Sequence, residues 1–242
     1  MRPSPTAIDP ADLIGPVQEP GFPELRAIAV TTLGGGASLS GTSESLGNDT
    51  DTALLLGLRQ WSDVVLVGAK TAAAEDYAGV RSTPSRKTPA PLAVITRSLS
   101  LDPGSRLFTD TDTPPLILIP QESLEDPALN SQRHRLVDAG AQLISTGQGS
   151  AQEIIAALHA LGYARIACEG GPGIYAMLFE ANLVDILHLT IEPVAHAPVE
   201  KQLFSPRPDS GGFAHRLQLE DASTTADSTM FLRYKRGVEL HF

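Results

Sequence analysis

The sequence predicts an α/β fold: a mostly parallel central sheet with helices on both faces and an antiparallel strand pair at its C-terminal end. Three observations point there. Short apolar runs of strand length alternate with stretches of helical apolar spacing through most of the 242 residues. Glycine-rich turns follow several of these runs, at the carboxyl ends of parallel strands where α/β sheets bind ligands. The last two strand-like segments, 214–222 and 229–235, have no helix between them, as at an antiparallel edge.

Residues 1–24 carry Pro3, Pro5, Pro10, Pro16, Pro20 and Pro23, which fix φ and remove donors, so this part reads as an extended Pro-rich N-terminal arm. Residues 25–242 read as one domain. A first strand over 25–33 ends in Gly34-Gly35-Gly36. Leu54, Leu55 and Leu58 place a helix over 52–60, and 64–67 is a second, buried strand. Gly68-Ala69-Lys70-Thr71 closes that strand and 71–77 continues as a short helix, with Thr71 or its neighbours at the helix start. A Pro-rich, basic loop follows over 80–91, then strands over 92–96, 116–119 and 141–145. Ser150 and Glu153 have capping-box spacing before a helix over 151–161. The strand 165–168 runs into Gly170-Gly171-Pro172-Gly173, and Ile174, Met177, Leu178 and the Leu183/Val184 pair then recur near helical spacing. The segment 186–191 alternates with polar residues less than a parallel core strand would.

Composition excludes several classes. The net charge of −10 disfavours nucleic acid, whose binding needs clustered Lys and Arg. No apolar run approaches a membrane span, and the N-terminus lacks a signal-peptide layout, so a cytoplasmic protein with a small-molecule substrate is expected. The single cysteine, Cys168, rules out an intrachain disulfide and a thiolate cluster, and the six histidines show no helical pair or HExxH, so no metal site is expected. Gly68-Ala69-Lys70-Thr71 is not a Walker A motif, Gly147-x-Gly149 lacks the third glycine of a dinucleotide fingerprint, and no G-x-S-x-G occurs.

The turn at Gly170-Gly171 carries the most information. Two adjacent residues without Cβ allow close approach of a ligand, and free N–H groups at a helix start attract an anion. A tight strand-to-helix turn that binds nothing is the alternative. Lys70, Arg81, Arg86, Lys87 and Arg97 fall in one short part of the chain, either as cations near a polyanion site or as solvated loop charges.

Leu58-Arg59, the run from Asp63 through Val64-Val65-Leu66-Val67-Gly68-Ala69-Lys70-Thr71, then Ala74-Glu75-Asp76-Tyr77, Thr96-Arg97-Ser98-Leu99, Glu169-Gly170-Gly171-Pro172 and Leu183-Val184-Asp185 follow one another in a familiar order. The chain resembles the reductase domain of riboflavin biosynthesis, which has a dihydrofolate-reductase-like fold, and most of all the stand-alone pyrimidine-reductase-like proteins. The resemblance spans about residues 27–236 and makes 25–242 a single reductase-like domain. It implies a homodimeric NADPH-dependent reductase that converts the ribosylamino group of a phosphoribosylamino-pyrimidine to ribitylamino. Carried over, it sets Gly68, Ala69, Lys70 and Thr71 against the cofactor pyrophosphate, and Thr96, Arg97 and Ser98 around the adenosine 2′-phosphate. Gly170, Gly171, Pro172, Gly173 and Ile174 would cradle the pyrophosphate and ribose, with Ser145, Thr146 and Gly147 flanking the adenosine.

The residue types agree. An Arg97 fork can meet two oxygens of a 2′-phosphate while Ser98 and Thr96 supply hydroxyls, which favours NADPH over NADH. Thr31, Thr32 and Leu33, at the end of the first strand, would lie near nicotinamide and substrate, and Arg81 would meet the substrate phosphate or remain a surface charge. Glu169 is expected as a catalytic substrate contact or proton donor, or else as a carboxylate that anchors the turn. The chain departs from the family in two places. Many members carry an S-L-D-G element after the first strand, whereas Thr32-Leu33-Gly34-Gly35-Gly36 has glycine at the aspartate position, so an acidic substrate contact is absent. The usual glycine after I-x-P is also replaced, in Pro193-Val194-Ala195-His196-Ala197. The glycine at position 34 favours one alternative, a non-catalytic NADPH- or nucleotide-binding protein on the same scaffold; a same-fold reductase of a pterin-like substrate is a further alternative, from which the missing aspartate removes the expected charged partner.

Overall fold

The computed structural model describes residues 8–43 and 45–239. The first seven residues of the expected arm, with Pro3 and Pro5, and the last three of the chain, with His241, lie outside the described residues. In chain order the elements are α1 (Pro10–Ile14), β1 (Glu24–Thr32), α2 (Asp49–Trp61), β2 (Val64–Gly68), α3 (Ala69–Ala74), β3 (Leu92–Ile95), α4 (Arg106–Thr109), β4 (Leu116–Ile119) and α5 (Gln121–Glu125). They continue with α6 (Asn130–Asp138), β5 (Gln142–Ser145), α7 (Ala151–Ala160), β6 (Arg165–Cys168), α8 (Pro172–Glu180), β7 (Ile186–Glu192), β8 (His215–Thr224) and β9 (Met230–Glu239). No helix among the described residues is long and apolar enough to cross a membrane.

The described residues form two compact units. One holds residues 59–171 with 20–23, and the other holds the residues up to 19, 24–58 and 172 onward. In the first, the strand order is β5-β4-β3-β2-β6 and every pairing is parallel. β2 and β4 are buried along their whole length, as the β-branched runs VVLVG and LILI require of strands covered on both faces. Val65, Val67, Val94, Ile117 and Ile119 share one core cluster with Ala72 of α3, Leu107 of α4 and Leu136 of α6. By strand alternation Leu66, Ala93 and Leu118 face the other way and are equally buried. α7 begins with the expected capping box: the Ser150 hydroxyl accepts from the Glu153 N–H and the Glu153 carboxylate accepts from the Ser150 N–H.

In the second unit β1 pairs β7 in parallel, β7 pairs β9 antiparallel and β9 pairs β8 antiparallel. The expected α/β class with an antiparallel C-terminal pair is thus found. The arm is not extended throughout. Pro10 opens helix α1 behind an Asp9 cap, because a first-turn proline loses only a donor that has no intrahelical partner. The Arg26 guanidinium, 1% exposed, donates to the Ile14 and Pro16 carbonyls, and Arg233 donates to those of Asp12 and Leu13.

Candidate active site

The register of the five-stranded unit brings its carboxyl ends into one row. Leu66 lies opposite Cys168, Gly68 opposite Ile95, Ile95 opposite Leu118, and Ile119 opposite Ser145. The turns that follow, 169–171, 69–71, 96–98, 120–122 and 146–149, therefore emerge side by side. Backbone hydrogen bonds continue the pairing into the turns. The Gly68 N–H donates to the Gly170 carbonyl (2.7 Å), Thr96 to Leu118 (3.0 Å), Thr146 to Ile119 (2.9 Å) and Gln121 to Gly147 (2.7 Å). Gly68, Thr71, Thr96, Arg97, Ser98, Ser145, Thr146, Gly147, Gly170 and Gly171, expected separately from the sequence, share this edge.

Within the row, the Gly170–Gly171 peptide is cis, and the Thr71 hydroxyl oxygen stands where a Cβ on Gly171 would be. Gly147 and Gly149 have φ of 59° and 77°, a left-handed turn that glycine adopts without strain. Lys70 is exposed at the start of α3, and Ser98 is exposed after β3. Arg97 is exposed as well; its Nη1 meets Glu122 at 3.2 Å and its Nη2 meets the Gln148 carbonyl at 3.4 Å, so it spans the turns after β4 and β5. The Thr96 hydroxyl is buried and accepts from the Leu99 N–H at 3.1 Å, closing its own turn. Ser145 donates to the Gln121 side chain.

Glu169 is held by two side chains from other elements. Arg59 holds its carboxylate with two parallel bonds, Nε to Oε1 and Nη2 to Oε2, each 2.7 Å, and the Tyr77 hydroxyl donates to Oε2 at 2.8 Å. Both carboxylate oxygens are thus engaged by charge-assisted or hydroxyl donors, and the side chain acts here as an acceptor that ties the turn to α2 and to Tyr77. Its partners are side chains. Burial and the neighbouring Glu169 carboxylate push the Tyr77 phenol well above its ordinary range. Burial opposes the Arg59 charge, but Glu169 outweighs it and holds the guanidinium above the usual arginine range. The preceding Cys168 is fully buried, which pushes its thiol up to about 12 and makes it an inert core residue. Arg81 is paired with Asp110, and Arg86 caps the end of α2 through the Gln60 and Ser62 carbonyls at 2.9 and 2.6 Å.

In the other unit, Thr31 and Thr32 are buried at the end of β1. Thr32 Oγ1 accepts from the Gly36 N–H (3.1 Å) and its carbonyl accepts from the Gly35 N–H (2.9 Å), so both stabilise the glycine turn. Leu33 is exposed and its N–H donates to the Val194 carbonyl at 3.0 Å. Pro172, Gly173 and Ile174 open α8. That helix is tied to β1 by the Tyr175 hydroxyl, which donates to the Ile28 carbonyl.

Arg59 and Tyr77 were not expected as site residues. Arg59 reads as a basic residue in the last turn of a helix, a common complement to the helix dipole, and nothing in the sequence announces a partner 110 residues away.

A family model described as the RibD C-terminal domain matches residues 23–231. The solved structure of a pyrimidine reductase-like protein from Corynebacterium diphtheriae is 34% identical, with 91% of this chain and 93% of that one covered and a TM-score of 0.79. RibD of Acinetobacter baumannii (17% identity, 90% of this chain, 58% of that one, TM-score 0.71) shares the fold. So does the riboflavin biosynthesis reductase of Saccharomyces cerevisiae (15%, 93%, 94%, 0.63). No curated protein matches the chain. With most of its length matched by the family model and a third of its residues identical to those of a solved relative, the chain belongs to the RibD C-terminal domain family of riboflavin-pathway reductases.

Proposed function

We propose that this protein is an NADPH-dependent reductase, working as a homodimer, that converts the ribosylamino group of a phosphoribosylamino-pyrimidine to ribitylamino. The observation that carries the reading is the row of five strand ends, with the Gly170–Gly171 turn on one side and exposed Arg97 two strands along. Two strand spacings are roughly 10 Å, the scale that separates the pyrophosphate of a dinucleotide from its adenosine 2′-phosphate.

The residues fit that coenzyme. At Gly171 there is room for backbone but not for a side chain, which suits close approach of a phosphate. The ion-pair partner of Arg97 is Glu122, whose side chain is 75% exposed; such a surface pair contributes about 0–1 kcal/mol and yields readily to a dianion. Ser98 and Lys70 add a hydroxyl and a cation. When bound, NADPH supplies the hydride, and the protein has to bind, orient and exclude water. In this reading 68–71 and 170–174 meet the pyrophosphate and ribose, Arg97 and Ser98 the 2′-phosphate, and 145–147 the adenosine. Thr31, Thr32 and Leu33 border the substrate. Arg81 exchanges Asp110 for the substrate phosphate.

Gly34, in the place of the family aspartate, favours a second reading, a protein that binds NADPH without turning over this substrate. The test is to follow NADPH absorbance with the phosphoribosylamino-pyrimidine present, alongside NADPH titration by calorimetry. Turnover supports the reductase, tight binding without turnover supports the second reading, and no binding overturns both.

A further inference from the structure

Glu169, Arg59 and Tyr77 form a buried cluster directly before the Gly170–Gly171 turn. The Glu169 carboxylate is 3% exposed and the Arg59 side chain 16%. Arg59 comes from the last turn of α2, and its guanidinium lies 5.3 Å above the Tyr77 ring. Tyr77 stands three residues beyond α3, fixed there by its N–H to the Ala72 carbonyl at 2.9 Å. The main chain of Glu169 is held too, by its N–H to the Leu66 carbonyl at 2.9 Å. Residue 169 is therefore fixed from both backbone and side chain, and the next two residues are Gly170 and Gly171.

We propose that Arg59 and Tyr77 are positioning residues for the coenzyme pyrophosphate: through Glu169 they set where the Gly170–Gly171 peptide stands. The inference rests on the NADPH reading above. A glycine pair has no side chains to pack, so its position depends on its flanks. One flank is the Glu169 anchor. The other side is α3, whose Thr71 hydroxyl abuts Gly171. Helix α3 thus touches the glycine pair directly through Thr71 and indirectly through Tyr77 and Glu169. Arg59 has a second effect. An unpaired carboxylate beside a phosphate site would repel the anion, and the bidentate guanidinium neutralises it.

Two ligands separate positioning from general loosening. NADPH spans the glycine turn and Arg97, whereas adenosine 2′,5′-bisphosphate carries the 2′-phosphate and a single 5′-phosphate and depends chiefly on the Arg97 end. Tyr77→Phe removes one hydroxyl and keeps the ring; Arg59→Lys keeps the charge and loses the fork. Each variant is expected to raise the Kd for NADPH about tenfold while the Kd for adenosine 2′,5′-bisphosphate stays within about twofold, both read by calorimetry. Unchanged NADPH affinity in both variants overturns the inference. Equal weakening of both ligands overturns it too, because that is the behaviour of a merely structural cluster. If the unaltered protein binds no NADPH, the coenzyme reading itself falls and takes this inference with it.

Discussion

The hydroxyl oxygen of Thr71 occupies the space that a β-carbon on Gly171 would need. The two residues belong to different turns, after β2 and after β6, and their contact closes one side of the candidate phosphate cradle. Gly171→Ala is expected to abolish measurable NADPH binding, and adding Thr71→Ala should recover part of it by clearing the oxygen. Titration of the single and double variants checks this. Binding by Gly171→Ala equal to that of the unaltered protein would mean that the turn does not meet the coenzyme.

Arg97 should discriminate between coenzymes. A bidentate contact to a 2′-phosphate is worth about 1.5–3 kcal/mol, so Arg97→Ala should weaken NADPH roughly ten- to a hundredfold and NADH little. Glu122→Gln removes the competing carboxylate and should tighten NADPH a few-fold at low salt. Equal losses for NADPH and NADH in the Arg97 variant would remove the 2′-phosphate assignment.

Gly34 has room for a side chain. A Cβ there would meet the His196 carbonyl at 3.5 Å, an ordinary contact, and Gly34 does not have the positive φ of its neighbour Gly35. Gly34→Asp should therefore fold with its melting temperature within a few degrees of the unaltered protein. In the pyrimidine-reductase reading it should raise kcat/KM for the phosphoribosylamino-pyrimidine, measured by NADPH absorbance. A folded variant with no gain argues for a different substrate.

His188 in β7 governs part of the acid stability. It is 2% exposed, its Nε2 has no hydrogen-bond partner among the described residues, and burial, with Arg26 and Arg233 adding to it, pushes its pKa from 6.5 down to about 3. Between those values the unfolded chain holds the proton and the folded one does not. Stability is then unaffected by this group above pH 6.5 and falls as pH drops toward 3, by up to about 1.4 kcal/mol per pH unit. Urea unfolding from pH 7.5 to 4.5 should show this slope reduced by about one proton in His188→Gln. An identical slope in the two proteins would clear His188 of the effect.

Much of the sheet was legible because burial on both faces leaves a direct mark on composition. The runs VVLVG and LILI, each next to a glycine or proline, have few structures open to them other than a covered strand. The Ser150/Glu153 pair marked α7 through local hydrogen bonds that need no tertiary partner. Helix α6 was not foreseen, because in NSQRHRLVD only Leu136 is buried and no apolar stripe exists to be read. Helix α1 was hidden by prolines, although Pro10 sits where a helix tolerates it.

The sequence alone determined the strand and helix alternation, the glycine turns and the family resemblance, since these depend on neighbours a few residues apart. What each charged side chain meets was decided by tertiary structure. The partners of Glu169, which are Arg59 and Tyr77, and those of Arg81 and Arg86, which are Asp110 and the end of α2, appear only in the folded chain. The physical reason is that a carboxylate's protonation and role follow from burial and from the charges within a few ångströms, and those charges arrive from distant parts of the chain only when strands align in register.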